Sequence, residues 1–228
     1  IAMAREGAGR FGWKPLTTNM MTHPMGCEGY KTIAYELGLQ MGFRVPDWIL
    51  VPVGGGALLS KICKGYQEML ELGLIEKLPR LVGVQAQGCA PLTAAFRKGA
   101  SSVERWPGVP ETIAFAIADV EVYDGETTLH ALSVTNGRSD AVPDDEILAA
   151  MRAIAEEEAV LAEPASAATV ACLAKLLREG IVAPGESAVC VLSGNGMRDL
   201  RLMEQGRAEI PYAKAGDMEA VKNWMDRL

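Results

Sequence analysis

The sequence predicts an α/β fold, a mostly parallel sheet with helices on both faces. Short unbroken apolar runs at WILVPV (48 to 53), at LVGVQA (81 to 86) and inside SAVCVLSGNG (187 to 196) have the composition of strands covered on both sides. Segments with apolar residues at three- and four-residue spacing lie between them, and that alternation is the mark of a helix-covered parallel sheet. Glycine turns follow the first and last runs directly, at Gly54 to Gly56 and Gly194 to Gly196.

Taken in chain order, EGYKTIAYELGLQMG sets Tyr30, Ile33, Ala34, Leu37 and Met41 on one helical face. The strand WILVPV and its glycines come next. Leu58, Ile62, Tyr66, Met69 and Leu70 then define a second helix, with Gly73 placed to end it. Beyond LVGVQA, the stretch from Gly88 to about Val142 alternates short helical pieces (CAPLTAAF, ETIAFAIA, TTLHALS) with Gly and Pro, and pattern does not fix their limits. PDDEILAAMRAIAEEE opens with Asp144, Asp145 and Glu146, which suit a helix N-terminus, and carries the stripe Ile147, Met151 and Ile154. ASAATVACLAKLLREG (165 to 180) reads as a helix stopped by Gly180. Met218, Val221, Trp224, Met225 and Leu228 give a terminal helix, expected over 215 to 228.

Composition narrows the function classes. With 228 residues, 49% hydrophobic and 22% charged, the chain is long enough to bury a full core. A net charge of −7 without a basic cluster removes the electrostatic footprint of nucleic-acid binding. No apolar run approaches the roughly 20 residues of a membrane-spanning helix, so no membrane partner is expected and a cytoplasmic location is. The five cysteines (Cys27, Cys63, Cys89, Cys172, Cys190) are scattered and read as buried thiols. Only His23 and His130 are present, neither at metal-ligand spacing, so no metal site is expected.

Three glycines between a buried strand and a helix let the backbone approach a ligand and aim N–H groups and the helix dipole at one point. Phosphate suits that point; a tight turn needing positive φ is the plainer alternative. GGGALLSK lacks the second glycine and GK[ST] ending of a nucleotide P-loop. The next strand, LVGVQAQG, ends in glutamines rather than the acid that takes dinucleotide ribose hydroxyls. A small phosphate monoester remains. In open α/β sheets ligands sit beyond the carboxyl ends of strands, where both glycine turns fall.

VPVGGGALLSKICKGY, with CEGYKTIAYELG, LVGVQAQGCAPL, PETIA, AEPASAATVACLAKL and VCVLSGNGMRD, resembles the threonine synthase group of fold-type II pyridoxal-phosphate enzymes, in order from about Asn19 to Asp199. The resemblance implies a large domain of the tryptophan synthase β-like kind and a pyridoxal 5′-phosphate cofactor. It also implies a small amino-acid substrate, O-phosphohomoserine giving threonine and phosphate, and a homodimer when full length. Carried over, Gly54, Gly55, Gly56, Ala57 and Leu58 hold the cofactor phosphate through their amides, and Ser193 meets the pyridine nitrogen. Glu28 and Lys31 read equally as a helix-start pair, and Glu163 either faces the ring or is a solvated loop-end acid. Asn195 stands where the family commonly has His, and the terminal helix at Trp224 is either a contact surface or core.

The family's imine-forming lysine lies in an S-x-K-D-R context that does not occur here, so no catalytic lysine is named. The expectation is a C-terminal two thirds of such an enzyme: residues 1–12 the tail of a smaller domain, 13–214 the large domain, 215–228 the last helix. GGGAL is closer to the amino-acid dehydratase form of the turn than to the glycine-asparagine form of threonine synthases. A serine or threonine dehydratase, or another β-elimination or β-replacement enzyme, therefore stands as an alternative, as does a non-catalytic module that senses a phosphorylated metabolite.

Overall fold

The computed structural model describes residues 2–14, 16–199 and 218–225. Residues 1–195 form one unit and 196–228 another. In the first, the apolar runs become parallel strands β1 (Trp48–Pro52), β2 (Arg80–Ala86) and β4 (Ala188–Cys190), joined by β3 (Arg138–Val142). The described sheet has the order β3-β2-β1-β4. Leu50 sits opposite Val82 on one side and Cys190 on the other, which fixes the register of the central strand. The chain thus steps outward from β1 through β2 to β3 and then returns to place β4 on the far side of β1.

The helices of this unit are α1 (Ala2–Phe11), α2 (Pro24–Cys27), α3 (Thr32–Gln40), α4 (Ala57–Glu71), α5 (Pro91–Arg97), α6 (Gly125–Val134), α7 (Asp144–Glu158) and α8 (Pro164–Arg178). Ile49 and Val51 pack with Leu59 and Ile62 of α4, Leu92 of α5 and Leu132 of α6 in one core cluster. Leu50, which strand alternation sends to the opposite face, is equally buried, and there α8 lies across all four described strands with α7 behind it. Close approach is built into the α4 face: a methyl on Gly65 would meet the Ala34 side chain at 2.7 Å and the Lys31 carbonyl at 2.9 Å.

Helix limits follow local chemistry. Gly56 (φ 99°) precedes α4 and Gly73 (φ 69°) follows it. Pro164 opens α8, where its missing N–H costs nothing, and Gly180 (φ 67°) ends it. No described helix is long and apolar enough to cross a membrane.

Four details differ from the sequence expectation. Residues 28 to 31 form a 3₁₀ turn rather than the first turn of an α-helix, and α1 occupies a stretch read only as a domain tail. The last strand is three residues long; Val191 still donates to the Leu50 carbonyl at 3.0 Å, but Leu192 and Ser193 leave the ladder and are exposed. The fourth is β3, RSDAV, which no apolar run announces. Its polar side chains are buried because they are paired: Ser139 donates to the Gly83 carbonyl at 3.0 Å, and the Asp140 carboxylate meets Lys175 at 2.7 Å, Arg138 at 2.6 Å and Arg97 at 3.4 Å. Burial alone raises the Asp140 carboxyl, but Lys175 and Arg138 outweigh it and hold it below its usual value.

In the second unit the described elements are a 3₁₀ turn (Gly196–Asp199) and α9 (Met218–Met225). The boundary expected at 214, Leu228, and the side chains of Val221 and Trp224 lie outside the described residues.

Asp140 is 2% exposed with cations on three sides, so Asp140→Asn leaves their charges uncompensated. Urea unfolding is expected to show a loss of about 3 kcal/mol at pH 7. The folded carboxyl is depressed, so its contribution is present above the unfolded value and lost as pH falls through the folded one; the gap between wild type and variant should close in acid.

Candidate functional site

Beyond Pro52 the chain must turn from strand into helix, and the turn is held by its carbonyls. The Gly55 carbonyl accepts from the Asp124 amide at 2.8 Å. The Gly56 carbonyl accepts from the Ser60 amide at 3.2 Å, the Ser60 hydroxyl at 3.1 Å and the Thr128 hydroxyl at 3.2 Å. Gln85, one of the strand-end glutamines, donates to the Val53 carbonyl at 3.3 Å and accepts from the Thr93 amide at 3.1 Å, a structural role. With the oxygens drawn toward α6 and β2, the amides are left facing the other way. Those of the first turn of α4 have no carbonyl within their own helix. Among the described residues, no backbone hydrogen bond has an amide of 54 to 58 as donor.

Bare backbone is required here. A methyl on Gly54 would stand 2.7 Å from Asp119 Oδ2 and 3.2 Å from the Ala116 carbonyl, and one on Gly56 would overlap the Thr128 hydroxyl. At Gly55 it would meet only ordinary contacts, the nearest 3.7 Å away.

The second loop is stitched to α8. Gly194 donates its N–H to the Ser166 hydroxyl at 2.9 Å, and its carbonyl accepts from the Glu163 amide at 3.1 Å. Ala162 and Asn195 form a bridge beside it. Because β4 lies next to β1, this loop and the glycine turn emerge side by side where the strand order reverses, the crevice in which open α/β sheets bind ligands.

Gly54, Gly55, Gly56, Ala57, Leu58 and Ser193 all line one cleft of about 230 Å³ there. Thr18, Tyr30, Pro52, Ala116, Ile117, Asp119, Glu163 and Ala165 complete its wall. Glu163 is 7% exposed and packs against Gly194, so it is not a solvated loop-end acid. Asp119 was not singled out from sequence; it lies in the stretch whose pattern was least regular. Burial raises its carboxyl above the usual range.

Among the described residues, no lysine lines the cleft. Lys61 and Lys64 bond to Glu28, the latter at 2.8 Å, and Lys31 reaches both Glu28 and Glu68 at 3.0 Å. These cations, Lys61 foremost, pull the Glu28 carboxyl down to about 2. Glu28 and Lys31 therefore belong to a network tying the 28 to 31 turn to α4. The four buried cysteines and half-buried Cys190 are unpaired thiols; burial pushes Cys63 up to about 11 and Cys172 up to about 12, which suppresses the thiolate.

A parallel sheet whose amide-rich turn and strand-end hydroxyl converge at the point of strand reversal defines an α/β protein with its candidate site at that crevice. The chain belongs to the pyridoxal-phosphate dependent enzyme family, whose model matches residues 2–194. It is 41% identical over 206 residues to a threonine synthase of Methanocaldococcus jannaschii, covering 90% of this chain and 50% of that protein. Against a threonine synthase of Methanosarcina acetivorans it is 38% identical over 177 residues, 78% of this chain and 44% of that one. The chain spans about half the length of these relatives. The processed form of threonine deaminase isoform 2 from Solanum lycopersicum shares the fold, with a TM-score of 0.71 over 90% of this chain and 55% of that chain at 21% identity.

Gly56→Ala combines a left-handed φ with the Thr128 overlap and is expected to lower stability by about 1–3 kcal/mol. Gly55→Ala, with open space, is expected to change it by less than about 1 kcal/mol. Paired denaturant melts distinguish the two.

Proposed function

We propose that the chain supplies the phosphate- and pyridine-binding part of a pyridoxal 5′-phosphate-dependent lyase of the threonine synthase kind. The complete protein would convert O-phospho-L-homoserine and water to L-threonine and phosphate. The observation that carries this is the shared cleft of the glycine turn and Ser193, in a chain 41% identical to a threonine synthase.

The residues fit the cofactor. The amides of Gly54, Gly55, Gly56, Ala57 and Leu58, which donate to no described backbone carbonyl, would receive the phosphate, and a side chain at Gly54 would press on Asp119 and the Ala116 carbonyl in the cleft wall. Ser193 is exposed to the cleft from the opposite loop and would hydrogen-bond the pyridine nitrogen. When bound, the cofactor supplies an electron sink that stabilises negative charge on the substrate carbon beside the amino group. A hydroxyl, unlike a carboxylate, does not hold the ring nitrogen protonated, which tempers that sink and favours elimination and replacement over transamination. Glu163 would bound the ring from the α8 side. Among the described residues lining the cleft there is no lysine to attach the cofactor, and turnover is assigned to the complete protein.

A serine or threonine dehydratase is the second reading, favoured by the GGGAL form of the turn.

The complete protein is expected to release phosphate from O-phosphohomoserine and to form no ketoacid from serine or threonine; ketoacid without phosphate release selects the dehydratase. Cofactor binding without either product would leave a binding module. Ser193→Ala is expected to lower kcat by about tenfold or more with cofactor still bound, read from steady-state rates beside the cofactor absorbance.

A further inference from the structure

Asp119 is a half-buried carboxylate to which, among the described residues, no group donates. Asp124 accepts from the Met20 amide at 3.1 Å, Asp144 from Thr112 at 2.6 Å and the Ile113 amide at 2.9 Å, Asp47 from Ser187 at 2.9 Å, and Asp140 from its three cations. Among the described residues nothing donates to the Asp119 carboxylate, although it sits in the wall of a cleft rich in amides. Its Oδ2 faces the turn, 2.7 Å from the methyl position of Gly54 and 3.7 Å from that of Gly55. A polar group half removed from water and left unpaired at a ligand site points to a partner supplied by the ligand.

Resting on the cofactor reading above, we propose that Asp119 meets the phosphate arm in its protonated form, so that the cradle takes up a phosphate monoester together with one proton from solvent. The neutral carboxyl donates its O–H to a phosphate oxygen, whereas an ionised carboxylate at this distance repels the dianion. Burial already favours the neutral form, and a bound phosphate adds like-charge repulsion in the same direction.

The titratable groups around Asp119 are few. Tyr30 and Glu163 share the cleft, the Tyr123 ring lies 3.9 Å from the Gly55 methyl position, and the Cys89 thiol donates to the Asp119 main-chain carbonyl at 3.4 Å. Burial raises both Tyr30 and Cys89, keeping them neutral near pH 7. Any charge on Glu163 is common to the wild type and a variant at 119.

The test is titration of the chain with pyridoxamine 5′-phosphate, which needs no attachment to lysine, from pH 5 to 9, for wild type and Asp119→Asn. The second ionisation of the phosphate affects both proteins alike, so the ratio of affinities isolates Asp119. That ratio, variant over wild type, is expected near one in acid and to rise by up to about tenfold per pH unit above the Asp119 value. Carboxyl carbon NMR of the wild type, which needs no variant, is expected to show Asp119 titrating at higher pH when the ligand is present. Parallel affinity profiles, or an Asp119 titration that the ligand does not move, overturn the proposal while leaving the cofactor reading intact. If wild type binds pyridoxamine 5′-phosphate no better than pyridoxamine at every pH, the phosphate cradle itself fails, and this inference with it.

Discussion

The site depends on where three carbonyls point. Hydrogen bonds from Asp124, Ser60 and Thr128 draw the oxygens of Gly55 and Gly56 into the protein, and Gln85 draws that of Val53. Peptide planarity then turns the amides the other way, toward the cleft. The positive φ of Gly56 permits this, and the α4 dipole adds to it. A phosphate site of the proposed kind needs no cationic side chain, so an acidic chain with no basic cluster could hold one. It also frees Lys31, Lys61 and Lys64 for the structural network around Glu28 and Glu68.

Topology does the rest of the positioning. Since β4 pairs with β1, the loop after a three-residue strand opens beside the glycine turn, and two bonds to Ser166 and Glu163 on the α8 side hold Gly194 in place. Amide donors form the floor and two carboxylates, Asp119 and Glu163, stand in the wall. On the reading proposed above, a phosphate in so small a cleft is recognised together with the proton on Asp119. The apolar groove of about 460 Å³ near Leu39, Phe43 and Leu72 is larger but lacks such convergent polar groups, and size alone does not define a site.

Much of this was legible beforehand, for a local reason. Strands covered on both faces announce themselves as apolar runs, and helices by their stripes, so β1, β2, α4, α7 and α8 were found close to their limits. A triple glycine at a strand end is a local signal as well. β3 gave none, because its buried Ser139 and Asp140 are compensated by Gly83, Lys175, Arg138 and Arg97, of which only Arg138 is near in sequence. Asp119 escaped notice for the same cause: its significance lies in facing Gly54, 65 residues earlier in the chain, with no donor of its own.

By itself the sequence determined the class of fold and marked the glycine turn, Gly54 to Leu58, and Ser193 as the candidate site. Periodicity, glycine's conformational freedom and an ordered set of motifs are properties of short segments and survive without coordinates. Tertiary structure decided that the two loops share a cleft, that Glu163 is buried within it, that Glu28 and Lys31 are committed elsewhere and that Asp119 is left unpaired. Each of these is set by which segments the sheet brings together, and strand order is fixed by packing between residues far apart in the chain.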